Sequence, residues 1–266
     1  MTSVAAPLDA ARLMALLAEN AFVRRVVVLG ETGSTNDDAR RLAALGAPEG
    51  TVVVAETQTA GRGRLGRSWH SPPGKGVYLS VVVRPREPVE LVGRYALIAA
   101  VACCEACRAL SGDRVRLKWP NDVLVDGRKI AGILAETRNA GAGVELVLGI
   151  GINAGYRRGD FPAELEATAG SLPAPGGGAT LDRELLARDL VATLARAITS
   201  LRSGGWEDLA ERFLRYAPDA SGQRVRLQDG RSGVTRGLHP SGALRVETTG
   251  GIVVVHTGVS IAAVEG

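Results

Sequence analysis

The sequence predicts an α+β fold: a mixed, mostly antiparallel sheet flanked by helices, followed by a small all-β unit. Runs rich in valine and isoleucine alternate with two helical segments between residues 24 and 153. Two more helices follow, and after Pro218 the chain has only short alternating strands separated by turn residues. We therefore expect an N-terminal extension (1–23), a main domain (24–217) and a small β domain of the SH3 type (218–266).

The first half of the main domain is predicted from strand composition and helix capping. Residues 24–30 contain four β-branched or leucine residues in a row and end at a glycine. Ser34 can cap a helix whose first turn carries acidic residues, and Gly46 can end it. In order, the predicted elements are a strand at 24–30, a helix from Ser34 to Leu45, strands at Thr51–Ala55 and Val77–Val83, and an alanine-rich helix at Glu90–Leu110.

The second half is predicted from a hairpin signal and two amphipathic runs. Asp126-Gly127 is a typical two-residue hairpin turn. A Pro/Gly-rich stretch at Pro173–Gly178 separates the last strand from the helices. The predicted elements are strands near Val115–Lys118, at Ile130–Thr137 and at Val144–Ile152, then helices at Leu181–Leu201 and Trp206–Tyr216. Turns at Asp229-Gly230, Pro240-Ser241-Gly242 and Gly250-Gly251 divide the C-terminal unit.

Composition excludes several classes of protein. The formal net charge is +4 with a pI near 9.2, which is too weak a bias to indicate nucleic-acid binding. The N-terminal residues do not form a signal peptide, and no apolar run reaches the length of a membrane span. Cys103, Cys104 and Cys107 have no companion pair for a metal, so we expect buried thiols on a helix. The cytoplasm is the expected location, without membrane association.

Lysine is confined to three positions among 32 basic residues. Lys75 lies in a glycine- and arginine-rich loop, Lys118 opens Lys-Trp-Pro-Asn-Asp (118–122), and Lys129 follows the hairpin turn. A chain that uses arginine almost everywhere keeps lysine where a compact ammonium is needed. These positions indicate two segments that belong to one anion-handling site.

The arginine loop (residues 61–69) follows a strand and reads Gly-Arg-Gly-Arg-Leu-Gly-Arg-Ser-Trp. Glycine lets backbone amides approach a ligand, and arginine supplies forked donors for carboxylate or phosphate. The order of residues fits neither a Walker A loop nor a dinucleotide fingerprint. By itself the loop is equally consistent with a solvated basic loop, with a nucleic-acid contact, or with a nucleotide site in which Trp69 stacks on adenine.

The Lys-Trp-Pro-Asn-Asp segment favours the nucleotide site. Asp122 can hold Mg²⁺ against phosphate oxygens, and Lys118 and Lys129 can offset negative charge at phosphorus. A turn aspartate is the alternative for Asp122, and we expect Trp119 to be a core residue.

Four motifs together resemble biotin protein ligases. They are Ser34-Thr35-Asn36, the arginine loop, residues 118–122 with Gly127-Arg128-Lys129-Ile130-Ala131-Gly132-Ile133-Leu134, and Gly149-Ile150-Gly151-Ile152-Asn153. Their order and spacing fit from about residue 24 to the end of the chain. The resemblance implies a class II synthetase-like catalytic domain for residues 24–217. It also implies ATP-dependent conversion of biotin to biotinoyl-5′-AMP and transfer of biotin to a lysine of a biotin carboxyl carrier domain of acyl-CoA carboxylases.

The resemblance also implies roles for individual residues. Lys129, Arg64 and Arg67 are the expected catalytic residues, and Asp122 the expected Mg²⁺ ligand. The adenylate contacts are Arg67, Trp69, Lys118, Asn121 and Asn153. The biotin contacts are Ser34, Thr35, Asn36, Gln58, Arg62, Gly63, Arg64, Lys129 and Gly132. A neutral ureido ring needs such fixed hydrogen-bonding groups in an apolar slot.

Two departures from the family pattern lead to further expectations. About twenty residues precede the first strand, so we expect no N-terminal winged helix-turn-helix and no DNA binding. Where some members carry a nucleotide-binding arginine in the last strand, this chain has Ser260-Ile261-Ala262-Ala263-Val264. The alternatives to a biotin protein ligase are a lipoate ligase and an RNA- or DNA-binding module.

Overall fold

A seven-stranded mixed sheet forms the centre of the molecule in a computed structural model, which describes residues 6–140, 143–157, 159–173 and 181–256. Its order is β1-β2-β3-β7-β6-β5-β4. β1 and β2 are parallel, and the other neighbours are antiparallel. The strands are β1 (Arg25–Thr32), β2 (Thr51–Gln58), β3 (Gly76–Val83), β4 (Val115–Lys118), β5 (Asp122–Val125), β6 (Arg128–Ala140) and β7 (Gly143–Asn153).

Five helices cover the two faces of this sheet unequally. They are α1 (Ala10–Ala18), α2 (Thr35–Ala44), α3 (Arg94–Ser111), α4 (Arg183–Arg202) and α5 (Trp206–Tyr216). Helices α1, α3, α4 and α5 share the main core with one face of the sheet. Helix α2, the crossover that makes β1 and β2 parallel, packs Ala39 and Ala43 against Val53, Val82 and Val147 on the other face. The first turn of α2 therefore lies beside the sheet.

The predicted N-terminal extension contains a helix that the sequence pattern did not indicate. Leu13 and Leu17 of α1 are 0% and 1% exposed and belong to the main core. Arg183 at the start of α4 donates to Glu56 of β2 (3.0 Å) and to the carbonyl of Ala6 (2.7 Å). This segment is thus packed onto the sheet as part of the same core.

The expected features of α3 and of Trp119 are present. Cys103, Cys104 and Cys107 are buried and unbridged within α3. Trp119 is 5% exposed and donates its indole N–H to the carbonyl of Gly242 at 3.4 Å. Because Gly242 lies in the C-terminal unit, Trp119 ties that unit to the main sheet.

A separate four-stranded antiparallel sheet follows α5, so the predicted fold class is confirmed. Its order is β11-β10-β9-β8, and the three predicted turn sequences lie at its strand junctions. The strands are β8 (Ser221–Arg226), β9 (Ser232–Leu238), β10 (Leu244–Thr248) and β11 (Gly251–Val255). Residues 174–178 of the Pro/Gly-rich stretch and Ser260–Val264 lie outside the described residues. We propose 217/218 as the boundary between the two domains, and we assign the described residues before position 24 to the main domain because they share its core. Among the described residues, no helix combines the length and hydropathy needed to cross a membrane.

Candidate active site

A cavity of about 820 Å³ opens beside the start of α2. Its walls come from the end of β2, the arginine loop, the β4–β5 turn, and strands β6 and β7. All fifteen site residues predicted from the sequence line it: Ser34, Thr35, Asn36, Gln58, Arg62, Gly63, Arg64, Arg67, Trp69, Lys118, Asn121, Asp122, Lys129, Gly132 and Asn153. The two lysine-bearing segments 118–122 and 127–129 therefore share one pocket with the arginine loop.

The floor of the cavity is a continuous chain of hydrogen bonds. The buried Ser80 hydroxyl lies 2.6 Å from Asn36 Oδ1 and 2.8 Å from Thr35 Oγ1. The Gln58 amide oxygen accepts from the backbone N–H of Thr35 (2.9 Å), and its nitrogen donates to Ser71 Oγ (2.9 Å). Since these groups hold one another, the floor presents a fixed polar surface to a ligand.

Ser34 differs from its neighbours in the floor. It is the N-cap of α2 and is 4% exposed, but its hydroxyl makes no capping hydrogen bond. The residue lines the cavity, so among the described floor residues its hydroxyl is available to a ligand.

Asn36 is held on three sides, by Glu136 and Ser80, which the sequence analysis did not single out, and by Gly149. Its Nδ2 donates to Glu136 Oε2 at 2.7 Å, while Ser80 donates to its Oδ1. A Cβ at Gly149 would lie 2.8 Å from the amide carbon of Asn36, so only glycine leaves room for this side chain. Glu136 and Ser80 lie within predicted strands, where the sequence offers no signal that their side chains face a site.

The arginine loop folds back on itself over the cavity. The N–H of Gly63 donates to the Arg67 carbonyl (2.6 Å), and that of Trp69 to the Gly61 carbonyl (2.8 Å). At the tip, Leu65 has φ +58° and is 72% exposed. A leucine in the left-handed region is uncommon and marks a tightly constrained turn.

Arg62 fastens the loop to α2 and β6. Its guanidinium donates to Asp37 (2.8 Å) and to Glu136 Oε2 (3.2 Å). The hydrogen bond that Arg62 donates to Asp37 raises the pKa of Arg62, and the same bond lowers the pKa of the Asp37 carboxyl. Arg62 is therefore engaged within the protein, which argues against its use in a nucleic-acid interface.

Arg64 fastens the loop to the opposite wall. It donates to Asn121 Oδ1 at 2.9 Å, and Asn121 in turn donates to the carbonyl of Ile133 at 2.8 Å. Burial lowers the pKa of Arg64, and the nearby Asp122 carboxylate opposes this shift. The loop is thus held at both sides of the cavity mouth.

The indole ring of Trp69 packs against the backbone of two glycines in the sheet. Gly132 and Gly151 are direct cross-strand partners in β6 and β7. A Cβ would lie 3.3 Å from the Trp69 ring at Gly132 and 2.7 Å from it at Gly151. Among the described residues, Trp69 Nε1 is buried without a hydrogen-bond partner. The paired Gly132 and Gly151 therefore make space for the indole.

Lys129 forms the cationic centre of the cavity. Its Nζ lies 2.6 Å from Asp122 Oδ1 and 5.5 Å from the centroid of the Trp69 ring. Arg67 and Lys118 also line the cavity but are exposed, and neither makes an ion pair with a described residue. These three cations surround a pocket whose only carboxylate, among the described lining residues, is Asp122.

Lys75 does not line the cavity. It pairs with Asp160 at 2.6 Å and connects the segment after the arginine loop to the segment after β7. The expectation from its rarity, that it belongs to the anion-handling site, is wrong for this lysine.

A further wall was not predicted. Phe161, Leu165 and Ala167–Ala169 line the cavity, although the sequence reads as irregular chain there. The Thr168 carbonyl accepts from Lys129 N–H (2.9 Å), and Gly170 N–H donates to the Lys129 carbonyl (2.8 Å). Gln228 adds one lining residue from the C-terminal sheet.

Comparison with known proteins identifies the family of the chain. Residues 31–153 match the biotin/lipoate A/B protein ligase family. A biotin–[acetyl-CoA-carboxylase] ligase from Mycobacterium tuberculosis is 37% identical over 242 residues, covering 88% of each chain. The chain belongs to the biotin protein ligases. All four motifs that carry the resemblance border the cavity.

Two further relatives place the chain within the family. The bifunctional ligase/repressor BirA of Bacillus subtilis is 35% identical over 227 residues, which are 84% of this chain and 70% of that protein. The structure of a biotin protein ligase from Aquifex aeolicus in complex with biotin and ATP superposes with a TM-score of 0.76 at 27% identity. The superposition covers 91% of this chain and 100% of the Aquifex aeolicus chain.

Proposed function

We propose that this protein activates biotin with ATP and transfers it to a specific lysine of biotin carboxyl carrier domains of acyl-CoA carboxylases. The observation that carries the proposal is the division of one cavity into a neutral polar floor and a cationic rim. Ser34, Thr35 and Gln58 suit an uncharged ureido ring, and Lys129 and Arg64 suit a carboxylate and phosphates. The relatives named as biotin ligases, one solved with biotin and ATP, support the same assignment.

In the first step, a biotin carboxylate oxygen attacks the α-phosphorus of ATP. The new O–P bond gives biotinoyl-5′-AMP, and pyrophosphate leaves with the electrons of the broken bond. Two anions must approach each other, so repulsion is offset by Lys129, Arg64, Arg67 and Lys118 around the cavity. Trp69 and Asn153 are the proposed adenylate contacts, with Asn121 holding Arg64 in place.

In the second step, the ε-amine of the carrier lysine attacks the acyl carbon of the mixed anhydride. An amide forms, AMP leaves, and the amine loses a proton. The anhydride has to be kept from water until the carrier arrives. The arginine loop, held by Arg62 on one side and Arg64 on the other, is the proposed cover.

Magnesium fits the pocket only together with the nucleotide. The described residues contain no cluster of three or more metal-ligating side chains. Mg²⁺ is commonly held by one or two carboxylates plus substrate phosphates, and Asp122 supplies one such carboxylate. We propose that Asp122 holds Mg²⁺ with ATP bound and that the ion neutralises phosphate charge. In the structure, the Asp122 carboxylate pairs with Lys129.

Lipoate is the alternative substrate because the family includes lipoate ligases. A dithiolane ring has no hydrogen-bonding groups, so binding it would leave the Ser34 hydroxyl of the floor without a partner. This favours biotin. The ion pairs of Arg62 with Asp37 and Glu136 disfavour an oligonucleotide site.

Mass spectrometry of a biotin carboxyl carrier domain tests the proposal. The domain is incubated with the protein, ATP, Mg²⁺ and biotin, and in parallel with lipoate in place of biotin. We expect a mass increase of one biotin less one water, located on one lysine, and none with lipoate. A carrier domain with that lysine replaced by arginine is the control. Modification by lipoate alone would contradict the proposal.

A further inference from the structure

Glu136 in β6 contacts both the floor of the cavity and the arginine loop. Its Oε2 accepts from Asn36 Nδ2 in the floor at 2.7 Å and from Arg62 Nη2 in the arginine loop at 3.2 Å. The side chain is only 25% exposed. One carboxylate oxygen therefore serves both the floor and the cover of the cavity.

The contact with Asn36 fixes the orientation of a buried amide. Asn36 is 3% exposed, and Ser80 donates to its Oδ1, so Nδ2 must face Glu136. Without Glu136, Nδ2 keeps only a 3.4 Å contact with the carbonyl of Leu134. A buried donor left with so weak a partner is costly, so Asn36 would turn and disturb Thr35 through Ser80.

The contact with Arg62 is shared with a second carboxylate. Asp37 follows Asn36 in the chain and also accepts from Arg62, but its carboxylate makes no hydrogen bond with the Asn36 side chain. Asp37 therefore holds the loop alone, whereas Glu136 holds the loop and the floor. The pair provides an internal comparison between the two contacts.

We propose that Glu136 is a positioning residue that couples closure of the arginine loop to the order of the pocket floor. When Arg62 docks, it stabilises the carboxylate position that also holds Asn36. An ordered floor in turn presents that carboxylate to Arg62, and by linkage each event favours the other. The proposal deepens the proposed function, on which its substrate readouts rest.

Three variants separate the two contacts. Glu136→Ala removes both, Glu136→Gln keeps an amide oxygen for Asn36 but loses the charge facing Arg62, and Asp37→Asn weakens the loop contact alone. Glu247→Gln, an exposed carboxylate paired with Arg236 in the C-terminal sheet, is the matched control. Thermal unfolding is recorded for every variant.

Two substrate readouts follow pyrophosphate release and escape of biotinoyl-AMP from the protein. Glu136→Ala should raise the KM for biotin about tenfold, because a buried amide loses its acceptor. It should also raise escape of the intermediate about fivefold. Glu136→Gln and Asp37→Asn should also raise escape, and through the coupling they should raise the KM for biotin, but by less than Glu136→Ala does.

Trypsin cleavage within the arginine loop, without any substrate, gives a readout independent of activity. Cleavage after Arg64 or Arg67 should be about fivefold faster in Glu136→Ala and unchanged in Glu247→Gln. The trypsin assay does not depend on which substrate the protein uses. It therefore tests the coupling even if the proposed function is wrong, and the two failures can be told apart.

The proposal is overturned if Glu136→Ala leaves loop cleavage unchanged, or if Glu136→Gln and Asp37→Asn raise the KM as much as Glu136→Ala does. If Glu136→Ala does not fold, the same measurements are made on Glu136→Gln. An unchanged rate of loop cleavage and of intermediate escape in Glu136→Gln would then reject the coupling.

Discussion

Gly149→Ala should weaken biotin binding although the substitution replaces no side chain that carries a functional group. Gly149 lies in β7 directly beneath Asn36, and it is the cross-strand partner of Ser80. An alanine Cβ would lie 2.8 Å from the Asn36 amide carbon and 3.0 Å from its nitrogen. Ordinary contacts of this kind begin at about 3.4 Å, so Asn36 must move away from the strand.

The size of the expected loss in biotin affinity follows from the contacts that hold the Asn36 side chain. Moving the amide lengthens its 2.6 Å bond with Ser80 and its 2.7 Å bond with Glu136. Forcing a methyl group into a packed site costs about 1–3 kcal/mol. If about 2 kcal/mol of this cost appears as a loss of binding free energy, the dissociation constant for biotin rises about 30-fold.

Isothermal titration with biotin is the direct assay, and Gly143→Ala is the matched control. Gly143 lies in the same strand, and a Cβ there would meet no atom within 4 Å. We expect near-normal affinity for Gly143→Ala and a clear loss for Gly149→Ala. Equal affinities for the two variants, with both folded, would refute the view that Asn36 and its neighbours form the biotin floor.

Three other substitutions and one chemical treatment test the site and the fold. Lys129→Ala should slow biotin-dependent pyrophosphate release at least tenfold while changing biotin affinity little, since its charge matters most at the phosphorus; an unchanged rate would contradict this role. Arg64→Gly should let biotinoyl-AMP escape and label lysines of bystander proteins, whereas full retention would argue against gating. Arg183→Met should lower the free energy of unfolding by about 3 kcal/mol, because the Glu56 carboxylate, only 12% exposed, loses its ion-pair partner and keeps only the N–H groups of Leu8 and Gly74. Adding Glu56→Gln should restore much of this loss, as measured by urea unfolding. Burial raises the pKa of Cys104 to about 12, so at pH 8 the thiol stays protonated, and the α3 cysteines should react with iodoacetamide only after unfolding.

Elements with strong local signals could be predicted from the sequence. Strand β4 and helix α5 begin and end at the predicted residues, because a β-branched run and a helical period are both local properties. The hairpin at Asp126-Gly127 is present for the same reason, with Asp126 in the left-handed region that such turns require. Helix α1 was missed because the clearest local feature of that segment, scattered charge between short apolar runs, does not distinguish a helix from an extended tail.

The site residues that lie at strand ends and in loops were predictable for a related reason. The arginine loop and Lys129 stand out by composition, and the motif order resembles one family. Glu136 and Ser80 do not stand out, because a polar residue within a strand reads equally well as facing water. Which face it points to depends on the pairing of strands far apart in the chain.

The sequence by itself determined the kinds and order of the elements, the family, and the residues that gather at the cavity. Only the tertiary structure decided how those residues are held: Asn36 against Gly149 and Glu136, Trp69 against two paired glycines, and Arg62 between two carboxylates. Local pattern fixes a backbone conformation within a few residues. Contacts between residues 100 positions apart depend on the order of strands in the sheet, and no local pattern specifies that order.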